Sequence, residues 1–197
     1  MSSTHHSRSA SIAIMAVAYA LAVIAGVASL SYFNTADPLW AMIYADLVAT
    51  VVIFIFSVSL NNSSLYDPYW SIIPMGIVPY WAFFSDFDVS IVSRLATILV
   101  CTWGLRLTWN FLRGWPGLVH EDWRYVNIRE FSKKLYWPAS FLGIHLFPTA
   151  IVFAGLYPIY LALAAPELNS TALVYAGTAL GFLAIVIETA ADEQLRN

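Results

Sequence analysis

A chain of 197 residues with 60% hydrophobic and only 11% charged side chains, twelve acidic and nine basic, carries less than half the charge of an ordinary soluble domain, which has about 25%. A globule of this size cannot hide that much apolar surface from water, which excludes a soluble enzyme. Nine glycines and nine prolines without a period, and one cysteine, exclude collagen-like and disulfide-rich scaffolds. The net charge of −3, with no basic face, argues against a nucleic-acid partner. What remains is an all-α polytopic membrane bundle.

A bilayer core of about 30 Å takes roughly 20 helical residues, and on that measure the chain divides into about six spans. After an N-terminal tail, 1–10, residues 11–197 read as a single transmembrane helical domain. The first span, 11–32, lacks a small-residue cleavage site and reads as an anchor, not a signal peptide. The second, 39–60, is interrupted only by Asp46. The third, 69–84, contains Pro74 and Pro79 and is expected to be short and kinked. The fourth, 91–112, carries Arg94 near one end and Arg106 nearer the other. An amphipathic loop, 113–137, leads to the fifth span, 138–165, with Pro148 and Pro158. The sixth is 171–187.

Lysine and arginine placement sets the orientation. Arg113, Arg124, Arg129, Lys133 and Lys134 put the 113–137 loop in the cytosol, and Arg8, Arg196 and both termini with it. The outer loops then hold Asp37, Asp86, Asp88 and Glu167, with Arg94 the lone outer cation. Glycosylation-acceptor tripeptides occur at Asn61, Asn62 and Asn169, the first two on the cytosolic side. Trp40, Trp70, Trp81, Trp115 and Trp137 fall near span ends, where an interfacial aromatic belt accounts for them.

Charges inside a bilayer are costly and mark candidate sites. On the fourth span Trp103, Arg106, Asn110 and Arg113 fit within about 80° of helical arc, a cationic stripe whose guanidinium forks suit a phosphate-bearing ligand. The plainer alternative is that Arg106 snorkels to the headgroups. At the end of the sixth span Glu188, Asp192 and Arg196 share a face. Asp192 can pair with Arg196, whereas Glu188 and Asp192 repel unless a cation lies between them. One expectation is that this face meets the Arg106 stripe. On the second span Asp46, Thr50, Ser57 and Asn61 share a face, with Arg94 the expected partner of Asp46. Asp67 before Pro68 fits a helix N-cap. In the loop, Trp123, Val126, Phe131 and Leu135 form the apolar side of a short helix lying in the headgroup plane. The four histidines have no ligand spacing and Cys101 stands alone, so no metal site is expected; no nucleotide loop or nucleophile elbow is present.

Four segments in order, Asn61–Trp70, Thr102–Leu107 (TWGLRL), Glu121–Tyr125 (EDWRY) and Glu188–Leu195 (ETAADEQL), resemble bacterial membrane proteins of the steroid 5-alpha-reductase-like superfamily, over roughly Asn61–Asn197. The resemblance implies a helical bundle of the bacterial inner membrane whose cytosolic half holds NADPH and which reduces an enone or similar double bond; a distant branch transfers methyl groups from S-adenosylmethionine. By resemblance Arg106, Glu121, Asp122, Arg124, Tyr125, Glu188, Asp192 and Gln194 line the cofactor cavity, and the stripe logic adds Asn110, Arg113 and Arg196. The family's Asp-x-Gln-Leu segment is followed by a helical portion with an Arg-His-Pro-Asn-Tyr motif, which lies beyond Asn197, and the steroid reductases polarise the substrate carbonyl with a glutamate from an early helix, whereas no glutamate precedes Glu121 here. The leading expectation is therefore the N-terminal portion of a membrane reductase for a lipophilic substrate, incomplete as a catalyst alone, with Tyr69 and Asp67 the nearest proton donors. The alternatives are a structural or lipid-binding subunit of a larger membrane assembly, and a membrane methyltransferase.

Overall fold

The computed structural model describes residues 7–165 and 171–196; His5, His6, Glu167 and the acceptor at Asn169 lie outside the described residues. Every regular element among the described residues is helical. The α-helices are α1 (Arg8–Phe33), α2 (Pro38–Ser59), α3 (Tyr69–Ile72), α4 (Pro74–Phe83), α5 (Ile91–Gly114), α6 (Trp123–Ser132), α7 (Tyr136–Ser140), α8 (Phe147–Ala164) and α9 (Thr171–Arg196). Five stretches are long and apolar enough to cross a membrane: α1, α2, α5, the run Trp123–Ala164 and α9. The protein is an all-α membrane helical bundle, and it forms two compact units.

The first unit comprises the described residues of Met1–Trp70 with Gly114–Phe153. Local chemistry starts its helices: the Ser7 hydroxyl accepts the Ala10 N–H at 3.2 Å, and Asp37 caps the Leu39 N–H at 2.8 Å ahead of Pro38 at the first helical position. Ala18, Ala22, Gly26 and Ser29 are buried along one stripe of α1, and Ala41 and Ala49 on α2. A Cβ at Gly26 would stand 2.8 Å from the Ala45 carbonyl oxygen. Small residues therefore let these two backbones approach, the usual means of helix association in lipid, where apolar side chains gain nothing from leaving water. Beyond α2, Asn61 takes a positive φ of 52°, so it leaves the helical stripe on which the sequence placed it.

The later part of this unit runs α6, a 3-10 turn Lys133–Leu135, α7, a π-helical stretch Phe141–Leu146 and the first turns of α8. The fifth predicted span is therefore continuous. Its widened turn precedes Pro148, which has no N–H for the carbonyl four residues back, and the π register accommodates that missing bond.

The second unit comprises the described residues of Ser71–Arg113 with Ala154–Asn197. The third predicted span is here two short helices, broken at Pro74 and containing Pro79 within α4; neither reaches membrane-crossing length. Gly104 sits where a Cβ would lie 2.5 Å from the Ser71 carbonyl oxygen, a close backbone approach that only glycine permits. The sixth span continues past its predicted end to Arg196, since the Glu188–Arg196 stretch keeps helical hydrogen bonding while its side chains turn charged. Trp81, buried and edge-on to Tyr160 at 5.1 Å, and Trp115, also buried, are core residues and not members of an interfacial belt.

Candidate functional site

In the first unit, the turn after α2 grips the loop before α6. The Asn62 amide donates to the carbonyls of Leu118 at 3.0 Å and His120 at 2.9 Å while its Oδ1 accepts the Ser64 N–H at 2.9 Å. The Ser63 N–H donates to Glu121 at 2.8 Å, and the Asp122 N–H to the Ser64 hydroxyl at 2.8 Å. At Gly117 (φ 108°) a side chain would strike Ser11, whose hydroxyl accepts the Leu118 N–H at 3.1 Å. Glu121 collects, besides Ser63, both Arg129 contacts at 3.0 Å and the Tyr136 hydroxyl at 3.1 Å. The Arg129 guanidinium stacks 3.8 Å over the Tyr136 ring and donates to Asn61 at 2.9 Å.

Asp122 caps α6 by accepting the Arg124 N–H at 2.8 Å and pairs with the Arg124 guanidinium; those hydrogen bonds hold its carboxyl below the usual range. Asp67 accepts the Tyr125 hydroxyl. Burial pushes the Asp67 carboxyl up to about 6, against the opposing hydrogen bonds of Tyr125 and Ser64.

Deeper in the same unit lies a chain of buried polar groups. The Tyr69 hydroxyl donates to Asp46 Oδ1 at 2.8 Å, with Tyr69 2% and Asp46 3% exposed. Thr50 also hydrogen bonds Tyr69, Thr50 meets Thr149 at 3.0 Å, and Thr149 meets Tyr66 at 2.8 Å. His145, fully buried, donates from Nδ1 to the Ser140 carbonyl at 3.0 Å, since a carbonyl can only accept, and its Nε2 faces the Ser57 hydroxyl at 3.1 Å. The Ser63 hydroxyl joins Ser140 at 2.9 Å and Tyr136 at 2.7 Å. Low dielectric makes an unpaired polar group expensive, so the full pairing of these side chains is what lets them sit inside the bundle.

In the second unit the polar stripes of α5 and α9 face one another. Arg106 lies between Glu188, at 3.2 Å, and Asp192, which removes the repulsion between those two carboxylates. Asp192 also accepts from Asn110 at 2.9 Å. Arg196 donates to the Asn110 side chain and to its carbonyl at 3.1 Å, and Arg113 pairs with Glu193. An apolar groove of about 380 Å³ opens elsewhere in this unit, between α5, α8 and α9, lined by Leu95, Leu99, Ile159, Ala162, Leu173 and Gly177 among others.

A family model, DUF1295, a protein of unknown function, matches residues 53–197, close to three quarters of the chain. The chain belongs to the DUF1295 family. That family is associated with steroid 5-alpha-reductase-like proteins. No curated protein and no solved structure matches the chain. The region shared with DUF1295 takes in Asp67, Tyr69 and every residue assigned to the cofactor, whereas Asp46 and Thr50 precede it.

Set against the sequence reading of this DUF1295 member, the meeting of the Arg106 stripe with the Glu188–Arg196 face stands, while Asp192 takes Arg106 and Asn110 as partners in place of Arg196. Gln194 is exposed on α9. Asp46 takes Tyr69 and not Arg94; the proline-broken segment brings the Tyr69 phenol to α2, a contact over 23 residues that spacing along one helix does not reveal. The carboxylate of Asp67 is committed to Tyr125. Residue type and spacing do not mark His145, Thr149, Ser140 and Tyr136 as interior polar residues. Their only sequence signal was the Asp46–Thr50–Ser57 face on α2, which had to be satisfied by something. No group of three or more His, Cys, Asp or Glu side chains suited to a metal occurs among the described residues.

Proposed function

We propose that this protein works as part of a membrane-embedded, NADPH-dependent reductase acting on a lipophilic enone or lipid-like substrate, with the 113–137 loop and both termini in the cytoplasm. The observation that carries this reading is the buried Tyr69–Asp46 pair. A phenol hydrogen-bonded to a carboxyl in a water-poor interior can relay the proton of the protonated carboxyl to a carbonyl oxygen. Asp46, on an early helix, supplies the carboxyl that the family's steroid reductases take from glutamate.

The assigned cofactor residues have fitting donor chemistry. In the α5–α9 set, the guanidiniums of Arg106, Arg113 and Arg196 suit phosphates, and the carboxylates of Glu188 and Asp192 suit ribose hydroxyls. In the loop set, Arg124 and the carboxylates Glu121 and Asp122 offer the same types. NADPH, when held by these residues, would supply the hydride for the β-carbon of an enone. Tyr69 would give its hydroxyl proton to the carbonyl oxygen as electrons shift onto it, and a protonated Asp46 would replace that proton, ending as the carboxylate. The apolar groove of the second unit adds support for a lipophilic ligand.

A second reading, a structural or lipid-binding subunit, is favoured by one observation: Arg106 already has two carboxylate partners and Arg113 one, so phosphate must displace them. One experiment separates the two. In lipid nanodiscs, NADPH is expected to raise the melting temperature by several degrees and to be consumed with an alkyl-substituted cyclic enone. Tyr69→Phe is expected to keep the NADPH-induced stabilisation and to lose turnover by roughly 100-fold or more. No stabilisation and no consumption in the unaltered protein would replace the reductase reading with the structural one.

A further inference from the structure

Helix α6 directs Tyr125 and Arg129 inward and leaves Arg124, Asn127 and Glu130 exposed beside Trp123 and Phe131. Tyr125 is held by Asp67 and Arg129 by Glu121 and Asn61. The outward side shows Trp123 at 69% exposure and Phe131 at 90%, with Val126 also exposed and Leu135 following in the next turn. Large rings bared to this extent among polar side chains suit the headgroup layer, where apolar bodies and polar groups meet. The run Trp123–Ala164 is 42 residues long, roughly 63 Å at 1.5 Å per residue, twice the bilayer core of about 30 Å. Its N-terminal portion must therefore extend past the core.

The backbone breaks at Lys133, where φ is 48° and ψ is −112°, a combination suited to glycine and strained for any residue with a Cβ. Glycine would sit there freely, yet the position carries an exposed lysine, followed by exposed Lys134. The neighbouring cations are already committed, Arg124 to Asp122 and Arg129 to Glu121. No ion pair within the described residues uses either lysine, and Glu130 is the one carboxylate between Trp123 and Leu135.

We propose that the segment Trp123–Leu135 is a docking surface for anionic phospholipid at the level of the headgroups. Trp123, Val126, Phe131 and Leu135 enter the upper acyl region, and the ammonium groups of Lys133 and Lys134 pair with lipid phosphate and its net negative headgroup. The strained backbone at Lys133 marks the point where the chain leaves the interface for the core and aims the lysine pair along the membrane surface. The surface is continuous with the apolar span that follows it, which fixes lipid as the occupant. This inference stands apart from the reductase reading.

The test is native mass spectrometry of the intact protein released from mixed nanodiscs of phosphatidylglycerol and phosphatidylcholine with identical acyl chains. The protein is expected to retain phosphatidylglycerol preferentially, each lysine contributing roughly fivefold. Lys133→Gln with Lys134→Gln should abolish most of that preference. Lys133→Gly should lower it by about fivefold while raising the melting temperature, because the strain goes with the charge. Equal retention of the two lipids, or a preference unchanged in the double variant, overturns the proposal. So does a stable dimer that Phe131→Asp dissociates with lipid preference intact, which would make the apolar face a contact between copies.

Discussion

The unit built on α1 and α2 and the unit built on α5 and α9 solve the problem of polar groups in a membrane bundle differently. In the first, the fully buried polar side chains are mostly hydroxyls, phenols and one imidazole, paired with partners far away in sequence, as Thr50 is with Thr149 and Ser57 with His145, and its ion pairs Glu121–Arg129 and Asp122–Arg124 lie nearer the surface. In the second they are formal charges, partly exposed, on two helices whose stripes run opposite one another. The difference teaches where disruption is costly: burial removes the option of replacing a lost partner by water, whereas exposure keeps it.

The largest effect is therefore expected at Glu121, the best connected carboxylate of the first unit. Glu121→Ala strands the Ser63 N–H and the Tyr136 hydroxyl and leaves Arg129 without its counter-ion, which should cost about 3 kcal/mol. A thermal melt in detergent would show it as a drop of several degrees. A loss no larger than that of an exposed ion pair would erase the distinction between the units.

Those same features explain what could be read before folding. The α5 and α9 stripes were legible because residues three and four apart must share a helical face, and both stripes carry charges that need partners. The α2 face with Asp46, Thr50 and Ser57 was legible for the same reason. Its partners were not, because Tyr69 reaches Asp46 through a proline-broken turn and His145 reaches Ser57 through a π-helical stretch, and neither geometry follows from a 3.6-residue period. Asp67 before Pro68 reads as a helix N-cap; the grip of the preceding Asn62 on the loop depends on backbone carbonyls of Leu118 and His120, which leave no trace in residue type.

A sharper test of burial uses pH. Asp67 lies in the turn between α2 and α3, outside the five spans, and its folded carboxyl titrates at about 6 against an ordinary value of 3.8. The folded chain thus holds this proton more tightly than the unfolded chain. Its contribution to stability is complete below about pH 4, falls as pH rises to about 6, and is flat above. Acidifying from pH 7 to pH 5 should stabilise the protein through this group by at most on the order of 2 kcal/mol. Asp67→Asn should flatten the melting temperature across that range. An unchanged pH slope in the variant would mean that Asp67 is hydrated and that the turn is less closed than its hydrogen bonds imply.

The smallest effect is expected at the exposed end of the charged stripes. The Arg113 and Glu193 side chains are 36% and 47% exposed, so each ion keeps much of its hydration whether or not it is paired. The entropy of holding two long side chains together offsets the remaining Coulomb attraction, and salt screens it further. Replacing both, Arg113→Gln with Glu193→Gln, should leave the melting temperature within experimental error at moderate salt and move it only slightly at low salt. A destabilisation as large as that of Glu121→Ala, insensitive to salt, would show that the pair is desolvated in the bilayer. The α5–α9 stripes would then obey the same rule as the buried network of the first unit.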